Sequence, residues 1–344
     1  MFNRLNVARA SLSVVAATML CSPAFAWEPS KAVEMVLPSG SGSGTDQMAR
    51  LMSSIVVKHN LAKKPYIVTP KGGAGGAEGF IDLKTSPANP HKILISASHM
   101  YMLPLTADVP FSWKDMTPVA NLVMDEFVLW VNAASPYKTA AELLAAAKAQ
   151  PGQIRAGGAG SKREDNLLFA AVEQAAGVKF NYIPYKGGGD VATQLVGNHI
   201  DVSVNNPVEA VSQWRAGQLR PLCVFDDKPM AQTEKVTTTE SWSSIPTCKS
   251  QGLNVTYLMQ RSVFLPSGVK PDQVAYYVDQ MQKIVATPEW KEFSNRNAFK
   301  DAFLTGPALQ KFLQTDADMH YDLLKKAGFL AACLLYTSPS PRDS

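Results

Sequence analysis

Pro38-Ser39-Gly40-Ser41-Gly42-Ser43-Gly44-Thr45-Asp46 is the stretch on which the fold turns. A short apolar run over 33–37 precedes it. Met48, Leu51, Met52 and Ile55 follow at helical spacing, with Thr45 or Asp46 as the expected N-cap. Three further clusters hold the same place between a β-like and a helix-like run: Gly72-Gly73-Ala74-Gly75-Gly76, Gly157-Gly158-Ala159-Gly160-Ser161 and Lys186-Gly187-Gly188-Gly189-Asp190. A glycine-rich turn from strand to helix exposes backbone N–H groups at the positive end of the helix, where an anion is welcome. Four such turns in one chain point to a cleft that holds a small anion.

Working outward, the pattern alternates. Strands are expected over 66–68, 93–95, 127–131, 154–156, 180–183, 200–204 and 219–225. Helices are expected over 79–84, 140–149, 167–175 and 191–197, then over 273–286, 289–295 and 309–326 in the C-terminal third. Alternation of this kind predicts α/β layers with mainly parallel sheets, whose ligands sit outside the carboxyl ends of the strands. No repeat of fixed period occurs, which excludes a solenoid.

The ends of the chain stand apart. Residues 1–26 read as a secretory signal: Arg4 and Arg9, an apolar core over 10–20, and Ala24-Phe25-Ala26 as the cleavage site, with cleavage after Ala26. Cys21 follows Leu20, which is not the small residue a lipobox requires. Residues 333–344 look like a translated sequencing adapter, a non-native tail expected to lack fixed structure.

The formal charge is +4, and removing Arg4, Arg9 and the cancelling Arg342/Asp343 pair leaves +2. That is too mild, and too evenly scattered, for nucleic acid or an anionic membrane. Only Cys223 and Cys248 remain between the two ends, and an oxidising compartment would let them pair; two separate buried thiols are the alternative. Neither CxxC nor HxxxH occurs, so no metal is expected. GxSxG and GxxxxGK[ST] are absent, and Thr45 and Glu78 stand where GxGxxG would need its third glycine. No cofactor is therefore expected. Arg261, in Leu258-Met259-Gln260-Arg261, is expected in a surface ion pair rather than in the cleft.

Taken in order, these segments resemble the periplasmic receptors of tripartite tricarboxylate transporters. Residues 38–50 (PSGSGSGTDQMAR) are similar to the family's P-x-G-G-x-x-D-x-x-A-R, 72–79 (GGAGGAEG) to P-G-A-G-G-x-x-G, and 184–190 (PYKGGGD) to P-Y-K-G-G. Residues 197–201 (GNHID), Arg220-Pro221-Leu222, Ile245-Pro246-Thr247 and a late helix with His320 match in order, so that the resemblance spans 30–331. It departs at Ser39-Gly40-Ser41, which lengthens the first loop, and at Lys71-Gly72, where Asn and Pro are usual.

The resemblance implies a two-lobed periplasmic binding protein, a non-enzyme and a monomer in the periplasm, that delivers a small carboxylate to membrane permease subunits. Lobe 1 is expected to comprise 27–126 plus 228–332, and lobe 2 127–227. Candidate ligand contacts on lobe 1 are Ser39, Ser41, Gly42, Ser43, Asp46, Gly73, Ala74, Gly75, Ser98 and His99; those on lobe 2 are Gly160, Ser161, Tyr185, Gly187, Gly188 and Asn205. Micromolar binding needs about −8 kcal/mol, and charge-assisted hydrogen bonds contribute about 1.5–3 kcal/mol each, so several must converge. Backbone N–H groups supply them without an arginine clamp. Two other readings share the fold: a hydrolase or transferase using Ser161 or His99, and a ligand sensor.

Overall fold

The computed structural model describes residues 27–331; the expected signal segment and the adapter-like tail lie outside the described residues. The chain runs β1 (Val33–Leu37), α1 (Gly44–Lys58), β2 (Tyr66–Pro70), α2 (Ala77–Lys84), β3 (Lys92–Ser96), α3 (His99–Thr106), β4 (Met116–Glu126), β5 (Val128–Asn132), α4 (Ala140–Ala149), β6 (Arg155–Ala159) and α5 (Glu164–Ala176). It continues through β7 (Asn181–Tyr185), α6 (Gly188–Val196), β8 (Val202–Ser203), α7 (Pro207–Arg215), β9 (Leu219–Val224), β10 (Leu258–Pro266), α8 (Pro271–Ala286), α9 (Pro288–Arg296), β11 (Lys300–Leu304) and α10 (Gly306–Lys326).

Two mixed sheets result. One has the order β11-β4-β10-β3-β1-β2, the other β7-β6-β8-β5-β9. Pairing is parallel where the glycine loops emerge, between β1 and β2 or β3 and between β6 and β7 or β8. It is antiparallel where β10 lies between β3 and β4 and where β5 meets β8 and β9. The strands that sequence reading left unassigned, β4, β10 and β11, all pair antiparallel in the first sheet. β10 is buried along almost its whole length, so it shows none of the alternation that marks a half-exposed strand.

The first sheet is buried against α1 and α8 on one side, through Met48, Met52, Ile55, Tyr277 and Met281. Phe80, Met100, Tyr101 and Leu313 cover the other. The N-cap of α1 is Ser43, whose hydroxyl accepts from the Asp46 N–H, rather than Thr45 or Asp46. Asp46 instead turns its carboxylate back onto the Gly42 N–H at 2.9 Å and Arg50 Nε at 3.0 Å.

The chain passes from the first sheet to the second at Phe127, between β4 and β5, and returns between β9 and β10. The returning segment packs on the second sheet. Trp242 meets Trp130 and Trp214, and Cys248 forms a disulfide with Cys223 on β9. The expected pairing of those cysteines is thus present, and it fastens 248 to the sheet that holds 223.

Candidate functional site

One cavity lies between the two sets of strand ends. Its wall includes Ser39, Gly40, Ser43, Gly44, Thr45, Ala97 and His99 from loops after β1 and β3, with Met259 and Arg261 of β10. Facing them are Ala159, Arg163, Glu164, Asp165, Lys186, Gly187, Gly188, Asn206 and Glu209 from loops after β6, β7 and β8. The starts of α1, α3, α5, α6 and α7 therefore converge on one space. That space measures about 40 Å³, far below the roughly 300–1,000 Å³ of pockets that enclose a small organic ligand. A ligand of several carbon atoms enters only if the two walls separate.

Short polar contacts hold the walls together. The His99 N–H donates to Glu164 Oε1 at 2.6 Å, across from one sheet's helix start to the other's. Within the first wall His99 Nε2 lies 3.0 Å from the Pro38 carbonyl oxygen, and its Nδ1 lies 3.4 Å from Glu164 Oε1 across the gap. The Gly44 N–H reaches Glu209 Oε1 at 3.4 Å. Burial opposes ionisation of Glu164, but His99 and Arg163 outweigh it and hold the carboxyl well below the ordinary range.

Arg261 is the functional side chain that sequence reading misplaced. It is 3% exposed rather than on the surface. Its Nε donates to Asp125 Oδ2 at 3.0 Å, and its Nη1 donates to Thr45 Oγ1 at 2.6 Å. Gly44 leaves it room, since a Cβ there would stand 2.9 Å from Nη2. The guanidinium thus fixes the first turn of α1 from behind the glycine loop. An arginine in a strand with Leu258, Met259, Val263, Phe264 and Leu265 was the available signal, because a buried cation requires an internal partner.

Of the expected contacts, Ser39, Ser43, His99, Gly187 and Gly188 line the cavity together. Ser41 and Gly42 are exposed at the tip of the first loop, and Asp46 is buried behind it. Ser98 and Asn205 are buried just outside the wall. Asn205 Nδ2 donates to the Gly188 carbonyl at 2.7 Å, so it supports the loop from beneath. Gly160, Ser161 and Tyr185 lie outside the wall; Gly160 N–H donates to the Tyr185 carbonyl at 2.9 Å, tying the two loops.

Gly73, Ala74 and Gly75 are exposed and also lie outside the wall. The glycines of this second cluster have a packing duty. A Cβ on Gly72 would stand 2.8 Å from the Ser39 carbonyl carbon, and one on Gly79 would stand 2.9 Å from Pro38 Cα. Gly76 has φ +102°, a conformation that L side chains rarely adopt. The cluster lets α2 press against the first loop and so shapes the cavity from outside.

Sequence reading missed Gly40, Gly44, Thr45, Arg163, Glu164, Asp165, Lys186, Asn206 and Glu209 among the polar or backbone wall. The three acids occupy first turns of α5 and α7, where carboxylates are favoured without any ligand. That ordinary role hid them. Among the described residues no group of three or more His, Cys, Asp or Glu is arranged to hold a metal ion.

A sequence model described as the tripartite tricarboxylate transporter family receptor matches residues 49–329. The chain belongs to that family. A relative of this receptor, the UPF0065 protein in the gbd 5′ region of Cupriavidus necator, is 27% identical over 307 residues, covering 88% of this chain and 90% of its own. A TctC solute binding protein from Polaromonas, solved without ligand, superimposes with a TM-score of 0.64 at 28% identity, over 87% of the receptor chain and 99% of its own. The R. palustris protein Rpa4515 with adipate has the same fold: TM-score 0.79, 19% identity, 87% and 98% coverage.

Proposed function

We propose that this receptor works outside the cytoplasm, in the periplasm after cleavage behind Ala26. There it closes two lobes on a small carboxylate and delivers it to the membrane subunits of a tripartite tricarboxylate transporter. The observation that carries the reading is the shared cavity: five helix starts, from both sheets, meet at one space. Helix N-termini present unpaired N–H groups and the positive end of the macrodipole. Gly187 and Gly188 at the start of α6, with the hydroxyls of Ser39, Ser43 and Thr45, are the donors we assign to a ligand carboxylate. A neighbour of the same fold is described with adipate, which supports a carboxylate as ligand class.

The lobes divide, on this reading, at Phe127 and between β9 and β10, with the disulfide-bound segment moving with the second lobe. Two chain crossings make a hinge, and hinge closure around a ligand is a common device. The small cavity supports a closed form that must open to load.

The test is titration calorimetry of the purified protein, residues 27–331, with a panel of monocarboxylates, dicarboxylates, tricarboxylates and aromatic acids. Saturable binding by at least one acid, weakened about tenfold or more by Gly187→Pro, which removes a donor N–H, is expected. Binding by none of them, with another ligand class binding instead, overturns the reading.

A further inference from the structure

We infer that Arg163 selects the acid this receptor takes, by pairing its guanidinium with a second carboxylate of the ligand. The inference rests on the carboxylate-receptor reading above and adds a side-chain cation to the backbone donors named there. The observation is that Arg163 lines the cavity with its donors unused. Its side chain is 15% exposed, and Nε is buried without a hydrogen-bond partner. Among the described residues the guanidinium makes no hydrogen bond; its ion-pair contact is from Nε to Glu164 Oε2 at 3.6 Å. A guanidinium holds five N–H donors in a fork that matches a carboxylate, and burying such donors unmatched is costly. The arrangement calls for an acceptor that the protein itself does not supply.

The other charged groups of the wall are engaged elsewhere. Arg261 donates to Asp125 and Thr45. Glu164 gives its short bond to the His99 N–H, at 2.6 Å across the gap. Asp165 Oδ2 takes the Ala159 N–H at 2.8 Å. Burial, with Glu209 adding to it, raises the Asp165 carboxyl to about 8, so at pH 7 it is mostly neutral and does not balance Arg163. Glu209 accepts from the Gly44 N–H and from Asn205 Nδ2. Lys186 also lines the wall, but it is exposed, where solvent and salt screen its charge.

The placement of Arg163 independently suits a second seat. It is the N-cap residue of α5, after β6, and Gly187 is the N-cap residue of α6, after β7. β6 and β7 pair in parallel as far as Ala159 opposite Tyr185, so the two helix starts hang from strands about 5 Å apart. Gly160 aims the side chain: its φ is +72°, and a Cβ there would stand 2.6 Å from Arg163 Cδ. The arginine thus folds back over the loop glycine. Its charge reaches the opposite wall, where it adds to burial in holding the His99 imidazole below its ordinary range. A ligand with one carboxylate on the Gly187 and Gly188 N–H groups can therefore bring its other end to Arg163.

Matched acids of equal chain length decide the matter: succinate against butyrate, glutarate against valerate, and adipate against hexanoate, each by titration calorimetry at pH 7. In at least one pair the diacid is expected to bind about tenfold more tightly or better, the lower end for one charge-assisted bond. Arg163→Gln should narrow that ratio to about threefold or less by weakening the diacid alone. Arg163→Lys, which keeps the charge without the fork, should retain part of the ratio, with circular dichroism confirming that both variants fold. A monoacid bound as tightly as its diacid in every pair that binds overturns the inference and leaves the carboxylate receptor standing. A ratio unchanged in folded Arg163→Gln, or both members weakened alike, overturns the selecting role of Arg163. Binding by no member of any pair, with other acids of the wider panel bound, also overturns the inference; no acid bound at all overturns the carboxylate reading itself.

Discussion

Replacing Glu126 by Gln probes the crossing between the two sheets. Glu126 is the last residue of β4 and is 3% exposed. Its backbone carbonyl accepts from Asn206 Nδ2 at 2.7 Å, and Asn206 lines the cavity. Burial, reinforced by Asp226 on the returning strand side, pushes its carboxyl from the ordinary 4.5 up to about 8, against the pull of Lys300. Lys300 itself pairs with Asp226. The two crossings of the chain are therefore joined by a protonated acid beside an ionised one.

The sign follows from linkage. Between pH 4.5 and about 8 the folded protein keeps the Glu126 proton that the unfolded chain has released. Folding then takes up a proton, so stability is greatest at the acid end of that window. It falls as pH rises and levels off above about 8. At about 1.4 kcal/mol per pH unit, the loss from this one group approaches about 5 kcal/mol, and less as water relaxes the charged form. Gln stays neutral throughout. Wild type and Glu126→Gln should agree within about 1 kcal/mol at pH 5, and the variant should be more stable by several kcal/mol at pH 9. Urea denaturation followed by circular dichroism at half-unit pH steps measures the difference, in which other raised acids such as Asp165 cancel. A difference that does not grow with pH, or a variant less stable than wild type at pH 9, refutes the reasoning.

Asp125→Asn leaves the Arg261 guanidinium buried beside a neutral amide, and breaking such a pair costs about 3–5 kcal/mol; a lowered thermal midpoint checks it, and an unchanged midpoint refutes it. Reducing the Cys223–Cys248 disulfide, or replacing both cysteines by Ser, frees a loop with a sequence separation of 25. About 3.5 kcal/mol should be lost on the chain-entropy account, read from urea midpoints with and without reductant.

The parts of this molecule legible in its sequence are those set by neighbours in the chain. The strand-to-helix turns at 38–46 and 186–190 were visible because glycine runs, apolar runs and cap residues lie side by side there. Helices such as α4 and α8 showed themselves in the same way, through Ala/Leu content and apolar spacing. What stayed hidden depends on partners far along the chain. Arg261 meets Asp125 across a separation of 136 residues, and β10, β4 and β11 pair antiparallel over comparable distances that no local pattern encodes.

The glycines of 72–76 misled for a different reason. A glycine that binds an anion and one that lets two backbones touch look alike in sequence, and only the approach of Pro38 and Ser39 separates them. The acids at 164, 165 and 209 carry the opposite lesson. Each has an ordinary local reason to begin a helix, yet the fold aims both of those helix starts at one space, where Glu164 takes the His99 N–H and Glu209 the Gly44 N–H from the opposite wall. The lining of the cavity is thus written in a sum over elements that only the fold brings together.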